Sequence, residues 1–308
     1  MKTPKYDLIT ILGPTASGKT QLAAHVALKL SGEIISGDSR QVYKGMNLGT
    51  GKDYHDYTID DINIPYHLID IVDAGSKYNV YEFQKDFFRV YDEIKARGNQ
   101  AIFCGGSGLY IESVLKGYKL IAVPENPELR MDLKGKSDDE LILLLSSFKK
   151  LHNQSDTTNR KRLEMAIEIE EYYSNNEVDE TPLPKINNII FGVRYSRNSE
   201  RNRISCRLKQ RLKDGMVDEV KALLDSGIKA EDLIYYGLEY KYITQHIVGQ
   251  ISWDEMFVQL NTAIAQFAKR QMTWFRRMER NGVDIKWIQG NLPIADKVNI
   301  VLEMINKI

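Results

Sequence analysis

The sequence predicts an α/β fold, a parallel β-sheet with helices on its faces, plus a small helical insertion. Three observations predict it. In the first third, short apolar runs alternate with stretches of helical period, as strands joined by crossover helices do. Between the first such run and the first helix lies a glycine-rich turn, GPTASGKT at 13–20. Residues 119–185 then change texture, opening with Pro124, Pro127 and a polar run and closing in an Asn-, Glu- and Pro-rich stretch at 175–184.

Taken in order, residues 6–12 (YDLITIL) read as a buried strand and 19–30 as a helix. Strands follow at 33–36, 67–72 and 100–104, with a helix at 81–97 before the last. Residues 189–193 (IIFGV) read as one more strand returning to the same sheet. Within 119–185, two amphipathic patterns near 138–151 and 158–173 predict an inserted helical domain. The core is then 1–118 with 186–308; the alternative is that these helices belong to the core itself. From Asn198 onward the chain is helical by period.

Composition narrows the class. At 308 residues, 43% hydrophobic and 27% charged, the chain is ordinary for a globular protein. No apolar run reaches 18 residues, so no membrane span is expected, and the short polar N-terminus lacks the pattern of a secretory signal. Cys104 and Cys206 show no metal-type spacing, which predicts a reducing cytoplasm and no zinc site. None of the five histidines is spaced for a metal either, and a structural hydrogen bond is expected of His67. With 42 basic and 42 acidic residues the net charge is zero, which argues against unspecific coating of nucleic acid. Where the charges lie then matters more than their sum.

Gly13 to Thr20 fits G-x-x-x-x-G-K-[ST], with a strand before it and a helix after it: a P-loop. Its glycines let backbone N–H groups converge on an anion, and the helix N-terminus adds its dipole. Lys19 would neutralise phosphate oxygens and the Thr20 hydroxyl would hold Mg²⁺. The loop predicts a di- or triphosphate site without specifying ATP. A nucleotide hydrolase also carries an acid at the end of another strand. Here strand 100–104 runs into Gly105-Gly-Ser-Gly-Leu-Tyr110, with no carboxylate. That stretch is either a plain tight turn or a means of bringing backbone and the Ser107 hydroxyl to the phosphates. Asp38, just past the second strand, faces the P-loop crevice in a parallel sheet. Taken alone, a helix N-cap is an equal reading of it.

Two clusters are basic. Eight basic residues fall between Arg194 and Lys213, and Arg203, Arg207 and Arg211 recur every four residues on one helix face beside Ile204, Leu208 and Leu212. Lys269, Arg270, Gln271, Arg276 and Arg277 form the second, interleaved with Ile264, Phe267, Trp274, Phe275 and Met278, which read as core. A solvated charged face is the competing reading of both.

GPTASGKT at 13–20, EIISGDSRQVYKGMNLGTGK at 33–52, PYHLID at 65–70, GGSGLY at 105–110 and AKRQMTWFRR at 268–277 together resemble the tRNA dimethylallyltransferases (isopentenyltransferases) over nearly the whole chain. The resemblance implies a P-loop NTPase-like core with the helical insertion contacting tRNA. It implies transfer of the dimethylallyl group from dimethylallyl diphosphate to N6 of the adenosine just 3′ of the anticodon, releasing diphosphate. By the same resemblance Asp38 is the base, acting with Thr20 and Arg207. Gly13, Thr15, Ala16, Ser17, Gly18, Lys19, Thr20, Ser107, Arg207 and Arg211 hold the diphosphate, with Mg²⁺ on Thr20. Ser39, Gln41, Arg162, Lys269, Arg270, Gln271, Arg276 and Arg277 are implied to meet tRNA. Met165 and Ala265 depart from arginines common in the family, and Ser107 from a threonine. A monomer is expected. The competing functions are a small-molecule kinase, a dimethylallyltransferase acting on free AMP, ADP or ATP, and an RNA-binding module with an idle P-loop.

Overall fold

A computed structural model describes residues 5–148, 157, 159–176 and 183–306. The chain divides into two compact units, Met1–Tyr118 with Pro184–Ile308, and Lys119–Leu183.

The larger unit is a six-stranded parallel sheet flanked by helices. Its chain order is β1 (Leu8–Leu12), α1 (Lys19–Leu30), β2 (Gly32–Ser36), a small hairpin of β3 (Thr58–Ile59) and β4 (Ile62–Asn63), then β5 (Tyr66–His67), α2 (Val80–Ala96), β6 (Gln100–Gly105) and α3 (Gly108–Leu115). Past the smaller unit's α4 to α6 come β7 (Asn188–Arg194), α7 (Arg197–Lys213), α8 (Met216–Asp225), α9 (Ala230–Tyr236), α10 (Leu238–Ile247), α11 (Trp253–Arg280), β8 (Ile285–Gln289) and α12 (Ile294–Asn306). In space the strands run β5-β2-β6-β1-β7-β8. β1 is central and buried throughout, so a continuous apolar run suits it better than an alternating one. One face packs Leu22, Val26, Ile34 and Ile102 against Val298 and Val301 of α12. The other packs Phe83, Phe87, Phe103 and Ile111 against Phe275 and Met278 of α11. A third apolar centre joins Val42 and Tyr43 to Leu208, Val220, Tyr240 and Leu260 of the later helices.

Register sets the site. Leu12 lies opposite Gly105, and Ser36 opposite Cys104, so β1, β2 and β6 end together and their following loops share one edge.

Two sequence expectations are corrected. The strand expected at 67–72 is only Tyr66–His67; Leu68 (φ 61°) and Asp70 (φ 55°) turn left-handed and cannot continue a ladder, and beyond them Val72 makes only an isolated parallel bridge to Tyr43, outside the sheet. The region after 198 is not wholly helical, because β8 adds a parallel edge strand beside β7. His67 makes its expected structural hydrogen bond, 2.6 Å to Glu33, whose carboxylate also receives Arg97 through two bonds of 2.8 Å and Asn99 at 2.7 Å.

The smaller unit holds α4 (Pro127–Lys134), α5 (Asp138–Phe148) and α6 (Arg160–Asn175) around Leu133, Leu141, Leu145, Leu163, Ala166 and Ile167. α4 was not expected; Asn126 caps it by accepting from Leu129 N–H, and Pro127 at its first position fixes φ for the helix. The expected helix ends at 149–151 and 158 lie outside the described residues. Among the described residues no helix is long and apolar enough to cross a membrane.

Candidate active site

The P-loop spans the turn from β1 to α1. Ala16 (φ 61°) and Gly18 (φ 77°) take the left-handed conformations that curl it. A Cβ on Gly13 would come within 2.9 Å of the Val193 carbonyl, so the loop hugs β7 too closely for a side chain. Its far side is fixed by α11: Thr15 N–H donates to Gln271 Oε1 at 2.8 Å, while Gln271 Nε2 donates to the Gly106 carbonyl at 2.9 Å. Ser17 Oγ is buried with no hydrogen-bond partner among the described residues.

Asp38 faces this loop. Its Oδ2 lies 3.5 Å from Lys19 Nζ, and its Oδ1 accepts from Gly106 N–H at 2.5 Å. The close approach is built by glycines: a Cβ on Gly105 would sit 2.4 Å from the Gly37 backbone, and one on Gly106 only 3.1 Å from Asp38 Oδ1. The helix-cap alternative does not apply, because no helix follows Asp38. Ser107 Oγ accepts from Ser39 N–H at 2.9 Å, tying the two loops together.

The arginines of α7 share one helix face, as their four-residue spacing predicts, and that face meets the P-loop. Arg203 donates to the Ala16 carbonyl at 2.9 Å, and Arg207 to Thr15 Oγ1 at 3.3 Å. Arg207 and Arg211 also share one carboxylate, that of Asp53, at 3.1 and 2.7 Å. Burial works against ionisation of Asp53, yet the two guanidiniums outweigh it and hold its carboxyl below the usual range. Burial, then the Arg211 charge, pulls Arg207 downward against Asp53, Glu239 and Asp38; an arginine stays charged regardless. Arg207 Nε is buried and unpartnered among the described residues.

Sequence reasoning missed Asp53 and the partners of the loop that leads to it. Three successive N–H groups of that loop, from Asn47, Leu48 and Gly49, donate to Glu219 of α8 at 2.9, 2.7 and 3.1 Å, and Tyr240 donates to it at 2.7 Å. Lys52, wholly buried, bonds Asp70, and Tyr54 donates to the same carboxylate. The signal available was the loop's abundance of short polar residues and glycine, which marks a turn and says nothing of its partners.

Between these groups opens a cavity of about 750 Å³. Thr20, Lys19, Asp38, Asp53, Arg207 and Arg211 line it together with Ile234, Tyr236, Leu238, Ile264 and Phe267. Phe267, expected in the core, is over a third exposed, whereas Ile264, Phe275 and Met278 are buried as expected.

The residues expected to meet RNA divide. Lys269, Arg270 and Arg276 are exposed on α11, and Arg270 reaches the cavity. Ser39 also lines it. Gln41 and Gln271 are largely buried braces that also line the cavity: Gln41 accepts from Ser36 Oγ at 2.8 Å and donates to the Gly51 carbonyl at 3.0 Å. Arg277 is paired with the buried Glu112 at 2.6 Å and stacked on Trp274. Arg162 is exposed on α6 of the smaller unit. Among the described residues no cluster of three His, Cys, Asp or Glu could hold a metal. The Thr20 hydroxyl at the cavity wall fits a Mg²⁺ that takes its remaining ligands from phosphate and water, the usual habit of that ion.

The family model described as IPP transferase matches residues 41–278, and one described as isopentenyl transferase matches 6–75. The chain is 60% identical to tRNA dimethylallyltransferase 2 of Phocaeicola vulgatus over 98% of both chains. It is 57% identical to the enzyme of the same name from Bacteroides fragilis over the full length of both. Among solved structures, the tRNA isopentenylpyrophosphate transferase of Bacillus halodurans superposes with a TM-score of 0.70 at 30% identity, covering 98% of each chain.

Proposed function

The chain belongs to the IPP transferase family and is a tRNA dimethylallyltransferase, and on that premise we propose how its cavity performs the transfer. The substrates are dimethylallyl diphosphate and an adenosine of tRNA, the base being the one 3′-adjacent to the anticodon, prenylated at N6. One observation carries the reading. A phosphate cradle without a strand-end acid shares one cavity with the apolar side chains of Ile234, Leu238, Ile264 and Phe267. An isoprenoid diphosphate needs both kinds of lining, anion-binding for its diphosphate and apolar for its chain.

The diphosphate lies on the P-loop N–H groups, with Lys19 and the α7 arginines meeting the charge that grows on its oxygens as the C–O bond breaks. The unpartnered Ser17 Oγ and Arg207 Nε are spare polar atoms beside that position. Mg²⁺, when bound at Thr20, would screen the same leaving charge. The dimethylallyl chain rests on Ile234, Leu238, Ile264 and Phe267, which exclude water from an allylic centre prone to hydrolysis. The exocyclic amine of adenine is a poor nucleophile because its lone pair is delocalised. Asp38, oriented by Gly106 N–H and Lys19, accepts the amine proton as the C–N bond forms. Lys269, Arg270 and Arg276 on α11, and Arg162 on the insertion, supply phosphate contacts to tRNA. The enzyme works as a cytoplasmic monomer.

Incubation with labelled dimethylallyl diphosphate and, separately, tRNA, AMP and ATP tests the reading. Label is expected in tRNA alone. Transfer to AMP or ATP in preference to tRNA, or phosphoryl transfer from ATP, would overturn it.

A further inference from the structure

We infer that Asp53 is a built-in competitor of diphosphate: a carboxylate that stays on Arg207 and Arg211 and limits how tightly the leaving group is held. The inference rests on the reading of those two arginines as diphosphate ligands.

Geometry carries it. The carboxylate bridges the two guanidiniums, one oxygen to each, at 3.1 and 2.7 Å, as an anion in the cradle would. All three side chains line the cavity that holds the P-loop. Arg207 reaches Thr15 of the P-loop with its Nη1 while its Nη2 is on Asp53, so one guanidinium already spans both anion positions. Asp53 cannot readily swing far away, because its neighbours are pinned. Asn47, Leu48 and Gly49 are held by Glu219, and Lys52 is buried against Asp70 and the Tyr43 carbonyl. The loop thus fixes a negative charge beside the place where another must bind.

Two effects of such a charge oppose each other. It aligns the guanidiniums, which favours binding, and it repels and competes with diphosphate, which disfavours it. Arg207 has a second anchor in Thr15, and the burial of Arg211 on α7 restricts its side chain by packing. Alignment therefore survives loss of the carboxylate, and repulsion decides the sign. A tight cradle would retain the diphosphate product, so the competitor serves release.

The test is calorimetric binding of inorganic diphosphate at fixed saturating Mg²⁺ to wild type, Asp53→Asn, Asp53→Ala and Arg207→Gln, with product-inhibition kinetics beside it. Both Asp53 variants are expected to bind diphosphate about 10-fold more tightly, the order expected for removing one like charge a few ångströms away in a partly screened site. Product inhibition should deepen by the same factor, an outcome that mere loss of structure would not give. Unchanged or weaker binding in both variants overturns the inference and makes Asp53 an aligning counterion. Failure of both to fold overturns it equally. If wild type binds no diphosphate, or Arg207→Gln binds it as well as wild type, the reading of the arginines fails instead.

Discussion

At the scale of single residues, Asp38 is the group whose removal separates binding from chemistry. Asp38→Asn keeps an acceptor for Gly106 N–H but cannot take a proton. Turnover should fall by roughly 10²–10⁴-fold with dimethylallyl diphosphate affinity nearly kept, measured by single-turnover kinetics beside direct binding. Retained turnover would remove Asp38 from the mechanism. The two thiols should also part company. Burial pushes Cys104 up to about 12, while Cys206 is exposed, so a disulfide reagent at neutral pH should titrate one thiol in the native protein and the second only after denaturation. Glu33 carries an acid-stability signature. Its two bonds from Arg97, helped by Asn99 and His67 against the cost of burial, bring it from an ordinary 4.5 down to about 2. A depressed carboxylate stabilises the fold fully above its unfolded value, and that contribution is lost as pH falls from about 4.5 towards 2. Glu33→Gln should flatten the stability profile in that window, read as thermal midpoint against pH.

At the scale of elements, the catalytic edge depends on β2 and β6 ending side by side. Gly105→Ala would drive a methyl into the Gly37 backbone, where no flexible atom can yield. Activity should be abolished and the melting temperature lowered, checked by calorimetry; wild-type behaviour would mean the strand ends are farther apart than described. This edge was legible in the sequence. The P-loop lies between an apolar run and a helical period, Asp38 follows a strand, and a four-residue arginine repeat must share one helix face. What was not legible needed partners distant in the chain. Asp53 gains its meaning only because α7 crosses above its loop, and Glu219 because three N–H groups 170 to 172 residues earlier converge on it. Gln271 sits among basic residues, and only the fold shows that helical phase turns it inward to brace the P-loop while Arg270 stays out. β8 escaped because five residues after a 28-residue helix offer too short a pattern to break the helical reading.

At the scale of the molecule, a chain with no net charge is asked to hold a polyanion. Its affinity for tRNA should therefore come from local clusters and fall steeply with salt, since each neutralised phosphate releases counterions. Lys269→Ala with Arg276→Ala should flatten the slope of log affinity against log salt while leaving dimethylallyl diphosphate binding unchanged. A slope like that of wild type would make those charges ordinary surface. One feature of the cradle reaches further. Thr15 is secured by a residue 256 positions later, and the arginines facing it come from the 200s. During synthesis, which runs from the N-terminus, the β1 strand and its loop emerge long before the helix that clamps them. A nascent chain bearing the whole phosphate motif therefore has Lys19 but still lacks the α7 arginines and the α11 clamp. The cradle is completed only when the last third of the polypeptide has been made.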